Sequence, residues 1–336
     1  MVDGPALARR TDGGVRGAVL VGRQCDAVRV APASAPVPPG RRRPPQAEEL
    51  HSRILIWYAE NARELPWRGD DATPWSVLVS ELMLQQTPVA RVLPVHGAWL
   101  QRWPTPAALA AEPAGEAVRA WGRLGYPRRA LRLHAAATAI AEQHGGEVPD
   151  TYAELIALPG VGDYTAAAVA SFAYGRRHVV LDVNVRRVLA RVLGGEAMPR
   201  PSVNRAERDR AEAFLPPVEA GDQLSATWAV ATMELGALVC TAREPRCERC
   251  PVADLCAWVA AGRPAYDGPA HRPQTYEGTD RQCRGRLLAV LRDSDGPVDA
   301  DRLAEAWPSA AQRERALASL VDDGLVVPHA GRYALP

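Results

Sequence analysis

Four cysteines stand at Cys240, Cys247, Cys250 and Cys256, a C-x6-C-x2-C-x5-C run. Four thiolates this close along a chain can each hold one iron of a cubane, so the run is read as a [4Fe–4S] site. Tetrahedral zinc also accepts four thiolates and is the competing reading of the spacing. A disulfide pair fits poorly, because no secretory signal precedes the run and cytosolic thiols stay reduced. Cys25 and Cys283 have no partner at metal spacing and read as ordinary thiols.

Two carboxyl groups are placed for acid–base work. WSVLVSELMLQQT, residues 75–87, is expected to be a helix with a largely apolar face, and Glu81 is its one ionisable residue, amid Val77, Leu78, Val79, Leu82, Met83 and Leu84. A carboxyl in apolar surroundings has a raised pKa and can hold a proton for delivery. A lone Glu could equally cap a helix or face solvent. Asp182 precedes VNVRRVLAR at a helix N-cap position, and a cap alone would account for it. The functional reading is a carboxylate kept ionised by a helix N-terminus at the mouth of a cleft, facing a developing cation.

LPGVGDYTAAAVASFAYG at 158–175 reads as a helix–hairpin–helix. Gly160 and Gly162 flank Val161 in a turn between two helices, where glycine lets the backbone approach a ligand without a Cβ in the way. The next helix starts at Asp163 with its free N–H groups aimed at the turn, and a nucleic-acid phosphate can sit on them. A tight helix–helix corner without a ligand is the plainer reading.

These motifs need a scaffold, and the pattern around them is helical. QAEELHSRILIWYAENA is amphipathic, with Leu50, Ile54, Trp57 and Tyr58 at helical spacing. Further short helices, punctuated by Pro or Gly, are expected at 89–102, 106–110, 113–121, 128–144, 151–157, 163–174, 182–193, 203–215 and 221–237. Strand signals are nearly absent before residue 260, so the fold class is all-α rather than βαβ. Residues 281–336 read as three helices followed by a short hairpin, a winged-helix-like module. Residues 1–45 are rich in Gly, Pro and Ala and carry eight Arg against three Asp, a basic tail expected to be disordered.

The chain is 336 residues long and carries a net charge of only +1, so bulk charge does not mark a nucleic-acid binder. Its distribution says more: RAWGRLGYPRRALR at 119–132 holds five Arg with a Trp and a Tyr. Such a patch suits a nucleic-acid site, or else a solvated helix face. No apolar run reaches the ~18 residues of a membrane span, and a cytoplasmic protein is expected.

Together these features resemble the helix–hairpin–helix DNA glycosylases with an iron–sulfur loop, and within them the adenine DNA glycosylases. The resemblance rests on LPWR at 65–68, SELMLQQTPVARV at 80–92, WGRLGYPRRALRL at 121–133, LPGVGDYTAAAVASFAYG, LDVNVRRVLAR, MELGALVC and the cysteine run, in family order over roughly residues 48–258. It implies an iron–sulfur domain built from 46–72 and 186–258. A six-helix domain follows from 73–185, with the helix–hairpin–helix at 151–174, then a linker at 259–280 and the module at 281–336. It also implies removal of adenine paired with 8-oxoguanine or guanine in duplex DNA, by a monomer working at the nucleoid beside other base-excision repair proteins.

By the same resemblance, Glu81 is the acid that protonates adenine N7, and Asp182 stabilises the oxocarbenium ion with Asn184 beside it. Tyr164 fills the position where bifunctional relatives carry a Schiff-base lysine. Trp67, Arg68 and Glu234 form the adenine pocket. Gln86, next to Gln85, is the wedge entering the base stack, and Tyr126 probes the opposite base. Gly160, Val161 and Gly162 hold backbone phosphate. Pro127 departs from the family's second Tyr, and the ~75 residues after the linker begins replace the larger MutT-like domain of many members, as in shorter actinobacterial-type forms. All 40 Lys-plus-Arg residues are arginine, so no side-chain amine exists for a lyase step and a monofunctional enzyme is expected. Two other readings stay open: a glycosylase/lyase for oxidised pyrimidines, which Tyr164 in place of lysine opposes, and a non-catalytic iron–sulfur or metal-sensing DNA-binding protein.

Overall fold

The computed structural model describes residues 47–268 and 275–336. The basic tail expected at 1–45 and the middle of the expected linker lie outside the described residues. Helix α1 (Ala47–Asn61) is followed by α2 (Pro74–Leu84), which begins where Thr73 accepts a bond from Ser76 N and Pro74 takes the first turn. Nine of the eleven residues of α2 are buried, Glu81 among them, so this helix is the axis of the larger domain. It stops at Leu84 rather than running on to Thr87 as the pattern suggests, because Gln85 and Gln86 leave helical geometry ahead of Pro88.

Around α2 lie α3 (Val89–Arg102), α4 (Pro106–Ala110), α5 (Ala114–Trp121), α6 (Arg128–Gln143), α7 (Tyr152–Leu155) and α8 (Asp163–Tyr174). α8 packs on α2, and α4 and α5 pack on α6. Trp99, Trp103 and Trp121 meet edge to face in their shared core, with ring centroids 4.6 and 5.8 Å from Trp99. A second apolar cluster joins α1 to α9 (Val183–Gly194) and α11 (Asp222–Leu238) through Leu50, Ile54, Val188, Trp228 and Leu235. Between those two helices runs α10 (Arg205–Ala213), and beyond them lie the cysteine loop and α12 (Ala257–Ala260). No helix of the described residues is long and apolar enough to cross a membrane.

The C-terminal segment forms α13 (Asp280–Arg292), α14 (Ala300–Glu305), α15 (Ala310–Asp322) and an antiparallel pair, β1 (Val327–His329) with β2 (Arg332–Ala334). These are the three helices and hairpin the sequence suggests. They do not hang on a tether: Leu287, Leu288, Leu291, Leu320 and Leu325 belong to the same apolar cluster as Trp121 and Leu133. Arg292 Nε donates to Val118 O at 3.0 Å, and Gly115 N donates to Pro336 O at 2.6 Å. Gly115 is glycine for a local reason, since an added Cβ would lie 2.5 Å from Pro336 O and 2.9 Å from Leu335 Cβ. Gly115→Ala should therefore push the C-terminal strand off α5 and destabilise the docked segment by about 1–3 kcal/mol. Amide exchange at Tyr333 and Val298, which bond each other at 2.8 Å, should speed up at least tenfold, while α2 amides keep their protection.

Candidate active site

A cleft of about 1020 Å³ opens between the two apolar clusters, and most of the motif residues line it. Glu81 comes from α2, Tyr164 from the start of α8, Asp182 and Asn184 from the start of α9, and Trp67 and Arg68 from the loop after α1. Gln85 and Gln86 form one rim, and Gly160 and Gly162 the other.

Glu81 is 5% exposed and its Oε2 has no hydrogen-bond partner. Burial pushes its carboxyl up to about 7; the Tyr164 hydroxyl, which donates to it, pulls the other way, and the nearby Asp182 adds to the rise. Tyr164 itself is held well above its ordinary value by burial and by the two carboxyls, so it stays a phenol that can donate. Asp182 is raised by burial as well, but it is much better solvated by protein. Its Oδ1 accepts from Asn184 N at 3.0 Å and Val185 N at 2.7 Å, its Oδ2 accepts from Asn184 Nδ2 at 2.7 Å, and the Arg187 charge opposes the rise too. The N-cap reading and the charged-cleft reading of Asp182 are thus the same geometry. The cleft holds one poorly solvated acid and one carboxylate bound on both oxygens.

Glu234 does not line the cleft. It is fully buried in α11, with Oε1 taken by Arg63 N at 3.1 Å and Arg63 Nε at 2.6 Å, and Oε2 by Arg63 Nη2 at 2.7 Å and Arg68 Nη1 at 3.0 Å. Burial alone would raise its carboxyl, but the two arginines outweigh that and hold it low. Glu234 therefore anchors Arg68, whose remaining donors face the cleft.

The hairpin is built as the sequence suggests. Leu158 and Val161 are buried anchors joined by Val161 N to Leu158 O at 3.1 Å. Gly160 has φ +76°, and a Cβ there would meet Arg132 Cβ at 2.5 Å. At Gly162, the N-cap of α8, a Cβ would meet nothing within 4 Å, and no cap side chain takes the first amides of α8. Tyr126 stands apart from the cleft on its own turn, 53% exposed.

The four cysteines surround one small cavity walled by Val188, Leu235, Val239 and Trp258. Among the described residues no three His, Cys, Asp or Glu side chains converge on a single metal ion. Four soft thiolates spread around an apolar cavity fit a cluster with an iron behind each sulfur, and fit a lone zinc poorly. When bound, the cluster supplies a cross-link for a loop with little regular structure and takes no part in bond breaking. Two buried arginines, which sequence reasoning passed over, tie this loop to the cleft. Arg191 donates to Cys240 Sγ at 3.3 Å and Thr241 O at 2.7 Å. Arg187 donates from Nε to Cys240 O at 2.7 Å and from Nη2 to Asn184 Oδ1 at 2.8 Å and Gly236 O at 2.7 Å. Their signal in the sequence was their place one and two turns along the helix that Asp182 caps.

Comparison with known proteins agrees with this architecture. Residues 79–213 match the helix–hairpin–helix superfamily of base excision DNA repair proteins, and residues 240–256 match the iron–sulfur binding domain of endonuclease III. A solved thermostable thymine-DNA glycosylase superposes with a TM-score of 0.56 at 26% identity, over 64% of this chain and 97% of that one. Fold and site thus define a helix–hairpin–helix DNA glycosylase with an iron–sulfur cluster. The adenine DNA glycosylase of Mycobacterium tuberculosis is 54% identical over 288 residues, 85% of this chain and 93% of the relative. That of Mycolicibacterium smegmatis is 52% identical over 84% of this chain and 94% of the relative. The chain belongs to the adenine DNA glycosylases, enzymes that hydrolyse N-glycosyl bonds in base excision repair.

The Glu81 shift has a consequence for stability. From the free value of 4.5 to about 7, the folded state holds a proton that the unfolded state has lost, so stability falls as pH rises through that window. The full shift corresponds to about 3 kcal/mol. Glu81→Gln should match wild type in melting temperature near pH 4.5 and exceed it by several degrees at pH 8, as thermal melts at the two pH values will show.

Proposed function

We propose that this enzyme removes adenine paired with 8-oxoguanine or guanine in duplex DNA and leaves the strand whole. The observation that carries the reading is the pair of carboxyls in one cleft, with Glu81 near 7 and Asp182 bonded on both oxygens. A mispaired adenine leaves the stack at lower cost than a paired one. Glu81 delivers its proton to adenine N7, and the base departs neutral while the sugar becomes cationic. Asp182, held by Asn184 and the N-terminus of α9, stabilises that cation before water adds at C1′. Tyr164 keeps Glu81 oriented through its hydroxyl. Arg68, steadied by Glu234, and Trp67 form the wall against which the flipped adenine rests. Gln86, with Gln85 beside it, fills the gap, Tyr126 meets the opposite base, and the amides around Gly160, Val161 and Gly162 hold a phosphate. On this reading the protein works as a monomer on chromosomal DNA.

A lyase step would need an amine at C1′, and the side chains offer guanidinium groups only, which stay protonated. The test is a set of duplexes carrying A·8-oxoguanine, A·G and thymine glycol, run on denaturing gels with and without alkali, beside borohydride trapping. Excision from the two adenine pairs, cut only after alkali, is expected. Release of thymine glycol with alkali-independent cleavage and efficient trapping would assign the protein to the oxidised-pyrimidine branch instead.

A further inference from the structure

Gln86 and Tyr126 share an uncommon backbone. They are two of the four non-glycine residues with positive φ among the described residues, at 54° and 47°. L-residues hold that conformation where their surroundings over-determine it. The surroundings of both converge on Arg129, 4% exposed in the first turn of α6. Its Nη1 donates to Leu82 O at 2.8 Å and Met83 O at 2.9 Å, in the last turn of α2 just before the Gln85–Gln86 corner. Its Nη2 donates to Thr87 Oγ1 at 2.9 Å, just after that corner, and to Gly125 O at 3.0 Å, just before Tyr126. The guanidinium lies 5.1 Å from the Trp121 ring centroid and 5.6 Å from that of Tyr126. Thr87 Oγ1 adds a second tie, 3.3 Å from both Gln85 O and Leu124 O.

Each of these acceptors is neutral. Burial lowers the Arg129 pKa to about 10, still high enough to keep the cation at neutral pH. A buried cation whose two Nη groups bind three carbonyls and one hydroxyl, and whose Nε has no partner, is retained for its geometry, because a planar fork with acceptors on two separate turns fixes the distance between them and a point charge does not. Arg129 sits in a stretch whose five arginines suggest a DNA-facing patch, yet it points inward.

We propose that Arg129 is a positioning residue that holds the Gln86 turn and the Tyr126 turn in one register, and that discrimination of the base opposite adenine depends on that register. The proposal rests on the reading that Gln86 enters the stack and Tyr126 meets the opposite base. 8-oxoguanine differs from guanine by an oxygen at C8 and a hydrogen at N7, so a probe displaced by a fraction of an ångström loses the distinction. The carboxyl pair is carried elsewhere in the cleft and can still act on any adenine that is flipped.

The experiment compares single-turnover excision from A·8-oxoguanine and A·G duplexes for wild type, Arg129→Lys and Tyr126→Ala, scored after alkali, with melting temperature and iron content measured alongside. Lysine keeps the charge and loses the fork. The ratio of the two rates should narrow at least fivefold in both variants. A narrowed ratio in Tyr126→Ala with an unchanged one in Arg129→Lys overturns the role of Arg129 and leaves the reading of Tyr126 standing. An unchanged ratio in Tyr126→Ala overturns that reading and the shared register with it, whatever Arg129→Lys does. Equal loss on both duplexes in Arg129→Lys marks a merely structural residue and also overturns the proposal. If Arg129→Lys does not fold, Thr87→Val removes one of the four acceptors, and a ratio narrowed at least twofold is expected; an unchanged ratio there counts against the proposal equally.

Discussion

Two carboxyl groups must face one cleft in different protonation states, and the architecture around them follows from that constraint. A carboxyl stays protonated near neutrality only where water is kept away and few donors reach it, which is why Glu81 sits on the most buried helix of the larger domain with Tyr164 as its donor. A carboxylate stays charged in a half-buried cleft only if the protein replaces its water, which the first amides of α9 and the Asn184 side chain do for Asp182. Helices α2 and α9 belong to different apolar clusters. The chemistry therefore depends on how those two cores meet, and α8 stands between them with Tyr164 at its first turn.

The cysteine loop bears on this meeting at one remove. Cys240 lies two residues beyond the helix that carries Glu234, and its carbonyl is bound by Arg187, which also binds Asn184, which in turn binds Asp182. Three consecutive bonds of 2.7–2.8 Å thus run from a cluster ligand to the carboxylate. The backbones are also close, since a Cβ on Gly236 would meet Asn184 Cβ at 2.7 Å. A loop pinned by four thiolates fixes the far end of this chain of bonds without touching the reaction.

Much of this was legible in the sequence because the motifs are local. The hairpin, the capped helix and the cysteine run each declare themselves within twenty residues, and Pro and Gly mark the helix ends closely. The features that local pattern does not show depend on tertiary packing. Nothing local shows that α2 ends before the Gln pair, because both glutamines favour helix on their own and the corner is held by Thr87 and Arg129 from outside. The motif that holds Glu234 gives no sign of Arg63, which no motif includes and which folds over it and takes three of its four bonds. Arg129 reads as part of a DNA-facing patch or a solvated face and Arg187 draws no notice, since a buried arginine bound by carbonyls has no sequence signature of its own. Whether the C-terminal module packs on the main domain is not legible in its own helices, and the contacts of α5 with α13 and the chain's last residues reveal the shared core.

The protonation of Glu81 is the point on which the chemistry turns, and it can be observed directly. Protein labelled with ¹³C at the glutamate carboxyls, with Glu81→Gln for assignment, reports the carboxyl shift of Glu81 as a function of pH. A midpoint near 7, well above the other glutamates, is expected from its burial. A midpoint near the ordinary 4.5 would mean that water or a donor beyond Tyr164 reaches the carboxyl, and that Glu81 is not the group that holds the proton at neutral pH.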